Sequence, residues 1–183
     1  HKNVGGVWGP VDMQEFYRDW HHIHWLLWDI NGTCLPHTWF MESPDTIPQY
    51  LDRRGVSTYL KYSKDMNKQN ILQTDSNGDP FKVLLGYSEL SDHVCGTADR
   101  KTPGFVEPVP QHLLLPEEEG LDFYKRYEVI GDLFGFSLDE CLVYGDKLER
   151  HSARIAGVRY MQVPNYSGHE EPCFSYRQLI QLN

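Results

Sequence analysis

WLLWDINGTC, residues 25–34, sets four apolar residues directly before an aspartate and a glycine turn. An apolar run this short, with no polar interruption, reads as a strand buried on both faces of a parallel sheet. Asp29 then falls at the carboxyl end of the strand, followed by Asn31, Gly32 and Thr33. In open α/β sheets that edge opens on the crevice where ligands bind. Asp is also a favoured helix N-cap, so Asp29 taken alone serves either purpose.

Working outward, the same kind of run recurs at His24 to Ile30, Val56 to Tyr62, His93 to Thr97, Cys141 to Tyr144 and Val158 to Val163. Helix-like segments fall between them: Thr46 to Arg54 before Gly55, Asp65 to Thr74 before Asn77-Gly78, Asp122 to Phe134 before Gly135, and Lys147 to Ala156 before Gly157. Glycine just past a helix end is the expected terminator. Alternation of this kind predicts an α/β protein with a mainly parallel five-stranded sheet. No repeat or linker divides the chain, so residues 1–183 read as one domain. Residues 1–23 are expected to form an N-terminal helical extension built on Val11 to Trp20. The Pro-rich, then acidic, residues 102–120 read as a surface insertion, and Ser175 to Leu182 as a last helix.

Composition narrows the function classes. With 183 residues and 40% hydrophobic content the chain can bury one core. Lys+Arg of 17 against Asp+Glu of 26 leaves a net charge of −9 and no basic run, so non-specific nucleic-acid binding is not expected. No apolar stretch approaches the roughly 20 residues that span a bilayer. Cys34, Cys95, Cys141 and Cys173 are widely spaced without a Cys-x-x-Cys pair, which argues against a zinc ribbon or a disulfide scaffold. No signal peptide is read, and a reduced, cytoplasmic, soluble protein is expected. His21, His22 and His24 lack metal-ligand spacing and read as surface or capping residues; the tryptophans near the first strand read as core.

A second stretch, CLVYGDKLERHSARIAGVRYMQV at 141–163, repeats the pattern of the first: an apolar strand ends in Gly145-Asp146 and a helix follows. Two strand-end aspartates meet only if their strands are neighbours. One or two carboxylates of that kind, with waters and a substrate phosphate, make a Mg²⁺ site.

Together these stretches resemble the haloacid dehalogenase superfamily of phosphohydrolases. DINGT (29–33) is similar to its first motif and YGDKLERHSARIAGV (144–158) to its fourth. LDRRGVSTYLKYSKD (51–65) resembles the second motif and places Ser63 there. SDHVCGTADRKTPGF (91–105) resembles the third and places Lys101 there, with Lys125 as the rival lysine. The resemblance implies a Rossmann-like three-layer sandwich, and the short segment 34–44 leaves room for little or no cap domain. It implies that Asp29 is the nucleophile toward phosphorus and that Asn31, Asp146 and Glu149 join it in holding Mg²⁺. Gly32, Thr33, Ser63 and Lys101 would bind the phosphate. The implied activity is Mg²⁺-dependent hydrolysis of a phosphomonoester through an aspartyl-phosphate, on a phosphorylated substrate of unknown class. Capless members act on large substrates or take a cover from a partner subunit, so a homo-oligomer stays open.

Two departures matter. The family's second aspartate is Asn31 here, which keeps a backbone carbonyl for the metal but has no proton to give a leaving oxygen. General-acid catalysis is commonly worth about 10² to 10⁴-fold. A catalytically impaired member that binds phosphate or a protein is therefore the alternative. The fourth motif's further aspartate is also missing; Glu149 and Arg150 stand in its place.

Overall fold

Leu26 and Trp28 project from one side of their strand and Leu27 from the other, and all three are fully buried. That is the reason the run has no polar member: both faces are covered. The structure, a computed structural model, describes residues 7–8, 13–76, 79–120, 123–146, 149–168 and 174–180. Its elements in chain order are β1 (Val7–Trp8), α1 (Met13–Trp20), β2 (Trp25–Asp29), α2 (Ile47–Arg54), α3 (Val56–Asp65), β3 (Gln69–Gln73) and α4 (Asp79–Leu84). There follow α5 (Ser88–Ser91), β4 (Gly96–Ala98), α6 (Arg126–Phe134), β5 (Cys141–Gly145), α7 (Glu149–Ala156) and β6 (Arg159–Gln162).

The sheet runs β1-β6-β5-β2-β3-β4, and every pairing is parallel. The parallel five-stranded sheet of an α/β, Rossmann-like arrangement is present, with the two-residue β1 added at one edge, although only four of its five strands fall on the runs expected. From β2 the chain winds outward through β3 to β4, then returns to the other side of β2 with β5. The carboxyl ends of β2 and β5 therefore flank the point where winding reverses, the place where open sheets bind ligands. Alternate side chains feed two cores. Leu26, Trp28, Leu142, Tyr144 and Leu72 pack on one face; Leu27, Val143, Tyr160 and Ile71 pack on the other. Trp28 stacks on Tyr144 with ring centroids 4.1 Å apart, and its indole donates to Asn70.

Two elements depart from the expected pattern. Val56 to Tyr62 is not a strand but the body of α3. Its β-branched and aromatic content favours a strand, yet its buried residues are Val56, Tyr59, Leu60 and Ser63, the i, i+3, i+4, i+7 spacing of one helix face. Conversely, the helix expected over Asp65 to Thr74 is replaced by β3. Asn67 takes a left-handed conformation (φ 65°) and turns the chain between them, which Asn tolerates. The final helix shrinks to one 3-10 turn, Tyr176–Leu179; residues 181–182 lie outside the described residues. So do Val11, Asn77, Gly78, Asp122, Lys147 and Cys173.

Residues 102–120 are more than a surface excursion. Phe105 and Val109 are buried, and the Glu118 carboxylate is held under α7 by His151 and Arg154. Backbone bonds Val109 N to Phe123 O and Lys125 N to Glu107 O tie its middle to the chain just before α6. Between β2 and α2 the chain makes two single 3-10 turns, Trp39–Met41 and Pro44–Thr46. Among the described residues no helix is long and apolar enough to cross a membrane.

Candidate active site

Strand register assembles the site. Trp28 lies opposite Tyr144, which carries the following Asp29 and Gly145-Asp146 to the same sheet edge. α7 begins at Glu149 and adds a third acid there. One carboxylate oxygen from each of Asp29, Asp146 and Glu149 lies within 4.8 Å of the others. Asp29 and Glu149 are buried, and the Asp146 side chain is 7% exposed. Three hard oxygen donors this close suit a hard divalent cation, whose opposing ligands stand about 4 to 5 Å apart.

Close approach explains the glycines. Gly32 adopts φ +80°, and a Cβ on it would lie 2.3 Å from Asp146 Oδ2 and 2.4 Å from His37 Nε2. A Cβ on Gly145 would meet the Glu149 Cβ at 2.8 Å. Any side chain at either position would push the acids apart.

The loop after β2 is held from below. Thr33 Oγ1 donates to Asp29 Oδ2 at 3.1 Å, and the Thr33 carbonyl accepts from Arg54 Nε at 3.1 Å and Tyr176 Oη at 3.0 Å. The buried Arg54 guanidinium also donates to the Pro164 carbonyl and sits 4.9 Å from the ring centres of Tyr166 and Phe174. Tyr166 N donates to the Gly32 carbonyl at 2.8 Å. The segment after β6 thus closes on the loop and brings Asn165 to the cavity wall.

Electrostatics follow from burial. Desolvation, then the charges of Glu149, Asp146 and Asp75, push the Asp29 carboxyl well above the usual carboxylate range; the Thr33 hydrogen bond works the other way. A buried cation, Arg126, stands in the first turn of α6. It pairs with Asp75 and reaches Gln73 Oε1 at 3.5 Å. Burial opposes its charge, but Tyr127, Asp75 and Glu149 more than offset that and raise its pKa.

A cavity of about 660 Å³ opens over the acids. Asp29, Asn31, Asp146 and Glu149 line it as expected; Thr74, Asp75, His37 and Asn165 also line it. Asn31 Oδ1 accepts from Trp39 Nε1 at 2.8 Å, which fixes the amide. Three expected phosphate ligands fall elsewhere: Thr33 is fully buried with its hydroxyl donating to Asp29. Ser63 is buried inside α3, where its hydroxyl donates to the Leu60 carbonyl and bonds Asn70. Lys101 is 65% exposed and stands 3.7 Å from Asp79. Lys125, the rival, pairs with Glu107 at 3.5 Å. The hydroxyl at the site is that of Thr74, one residue past β3, and ILQT at 71–74 carried the signal: an apolar strand ending in a hydroxyl residue. Arg126 had no signal beyond its place beside Lys125.

No protein-family model and no curated protein matches the sequence. Solved structures match the fold. A HAD hydrolase, family IA, variant 3, from Entamoeba histolytica is 13% identical over 81% of this chain and 86% of its own, with a TM-score of 0.52. A hydrolase from Streptococcus pneumoniae is 14% identical over 76% of this chain and 91% of its own, with a TM-score of 0.50. At such identities the likeness establishes the fold alone, an α/β arrangement shared with these hydrolases.

Proposed function

We propose that the protein is a Mg²⁺-dependent phosphomonoester hydrolase in which Asp29 is the nucleophile. The observation that carries this reading is the convergence of Asp29, Asp146 and Glu149 at one sheet edge, on a loop whose Gly32 leaves no room for a Cβ. Asp29 Oδ attacks phosphorus, the P–O bond to the leaving group breaks, and an acyl phosphate forms on Asp29. Water then attacks that phosphorus, releasing inorganic phosphate and restoring the carboxylate. Splitting the reaction in this way is ordinary covalent catalysis. Asp29, Asp146, Glu149 and the Asn31 carbonyl would hold Mg²⁺, which when bound neutralises phosphoryl oxygens and clustered carboxylates. Thr74, which lines the cavity, is the hydroxyl donor for the transferred group. Asn31 offers a hydrogen bond but no proton, so good leaving groups are favoured.

Release of phosphate from 4-nitrophenyl phosphate with Mg²⁺, and its loss with chelator, tests the activity. Binding is tested without turnover. At a hundredfold excess over its Kd, Mg²⁺ should stabilise the fold by about 2.7 kcal/mol. At about 2–4 °C per kcal/mol for a chain of this size, the melting temperature rises by about 5–10 °C. Asp146→Asn should remove most of that rise. An undiminished rise would reduce Asp146 to a cap of α7.

Asn31→Asp bears on the missing acid. Trp39 Nε1 can donate to one carboxylate oxygen as it does to Asn31 Oδ1, leaving the other to carry a proton. The kcat/KM for an alkyl phosphate should rise by at least tenfold relative to that for an aryl phosphate, because the alkoxide needs the proton. An unchanged ratio would show that another group already serves as acid.

A further inference from the structure

Beside the acidic cavity lies a second one of about 220 Å³, and the two share Asn31 and Thr74 in their walls. Its floor and sides are Ile30, Trp39, Phe81 and Leu84, all buried. Among the described residues that line it, none is charged. Phe40, 58% exposed, forms part of the outer wall, and Ser76 is the other polar lining residue.

We infer that this cavity is a leaving-group subsite that accepts a single aromatic ring, so that the substrates are aryl phosphomonoesters. The inference rests on the phosphohydrolase reading above and names its substrate class. Size agrees: an apolar cavity of roughly 150 Å³ is enough to take benzene. Lining agrees too. Trp39, Phe40 and Phe81 offer ring faces and edges, the contacts an aromatic guest prefers. A sugar or nucleotide phosphate would bring several hydroxyl or charged groups against walls that leave them unpaired, which is costly. The polar members, Asn31 and Thr74, stand where the two cavities join, so a ring seated among the apolar walls has its ester oxygen directed toward Asp29. Trp39 links the two cavities: its indole nitrogen bonds the Asn31 side chain while the residue also walls the apolar cavity. Selection for a phenolic leaving group also suits a site whose Asn31 cannot protonate an alkoxide.

The test compares two non-hydrolysable probes, phenylphosphonate and methylphosphonate, each titrated with Mg²⁺ present and displaced by inorganic phosphate. Phenylphosphonate should bind at least tenfold more tightly. Ser76→Trp, at an exposed lining position, should block the ring and bring the ratio of the two affinities below about threefold. Equal affinity of the two probes in the native protein, with both displaced by phosphate, would overturn the subsite and leave the phosphohydrolase reading standing. So would an unchanged preference in Ser76→Trp. No binding of either probe, or of phosphate, would overturn the phosphohydrolase reading and the subsite with it.

Discussion

Asp29→Asn should lower aryl-phosphate turnover by at least 10³-fold while leaving the fold intact, because the amide has no lone pair basic enough to attack phosphorus. The same variant should melt at a higher temperature than the native protein when no divalent ion is bound. The sign comes from the raised Asp29 pKa. A carboxyl whose pKa is higher folded than unfolded contributes its stability below the ordinary carboxylate range and loses it as pH rises through the folded value. Near neutral pH the ion-free native protein therefore carries the penalty of a charge held beside Glu149, Asp146 and Asp75. An asparagine does not titrate and avoids it. The stability gap between the two proteins should be widest at pH 7 and close toward pH 4. Phosphate release from 4-nitrophenyl phosphate and melting curves across that range measure both effects. Retained turnover would remove Asp29 from the chemistry, and a gap independent of pH would mean that the acidic cluster does not strain the fold.

Arg126→Met should cost about 2–3 kcal/mol of stability. Breaking a buried ion pair by removing one partner costs about 3–5 kcal/mol, and the half-exposed Asp75 side chain recovers part of that through hydration. The melting temperature should fall by about 5–10 °C. Turnover should fall by about 10²-fold, since Asp75, which Arg126 holds, borders the cavity and Glu149 loses a buried cation that interacts with it. Arg126→Lys, which keeps the charge, should restore most of the stability and part of the rate. Lys101→Ala, at an exposed position paired with Asp79, should change turnover by less than about twofold. The contrast between the two cations is the measurement. A large effect at Lys101 with none at Arg126 would return the phosphate-binding role to the lysine.

The errors in reading the chain share a cause with its successes. WLLWD and CLVYG were legible because a strand buried on both faces permits no polar residue, and both end where acids are followed by a turn. The segment at 56–62 misled because Val, Thr and Tyr favour strands on average, whereas the three-and-four spacing of its buried residues is a property of the packed helix. Once that segment is α3, the strand must come later, and the hydroxyl at the site moves from Ser63 to Thr74.

The amino-acid sequence by itself determined the alternating α/β plan, the strand-end acids Asp29 and Asp146, and the glycine turn that follows the first of them. These are local facts: a run of side chains, a strand end, a residue without a Cβ. That the strands of Asp29 and Asp146 are neighbours, which hydroxyl lines the cavity, which cation is buried near it and what covers residues 102–120 were decided only by tertiary structure. Arg126 became the compensating charge because α6 buries it against Asp75, while Lys101, one turn past β4, stays in water. Trp39, Phe81 and Leu84 became a cavity wall because the turn after β2 packs beside α4. Partners brought together across long stretches of chain leave no spacing in the sequence from which to infer them.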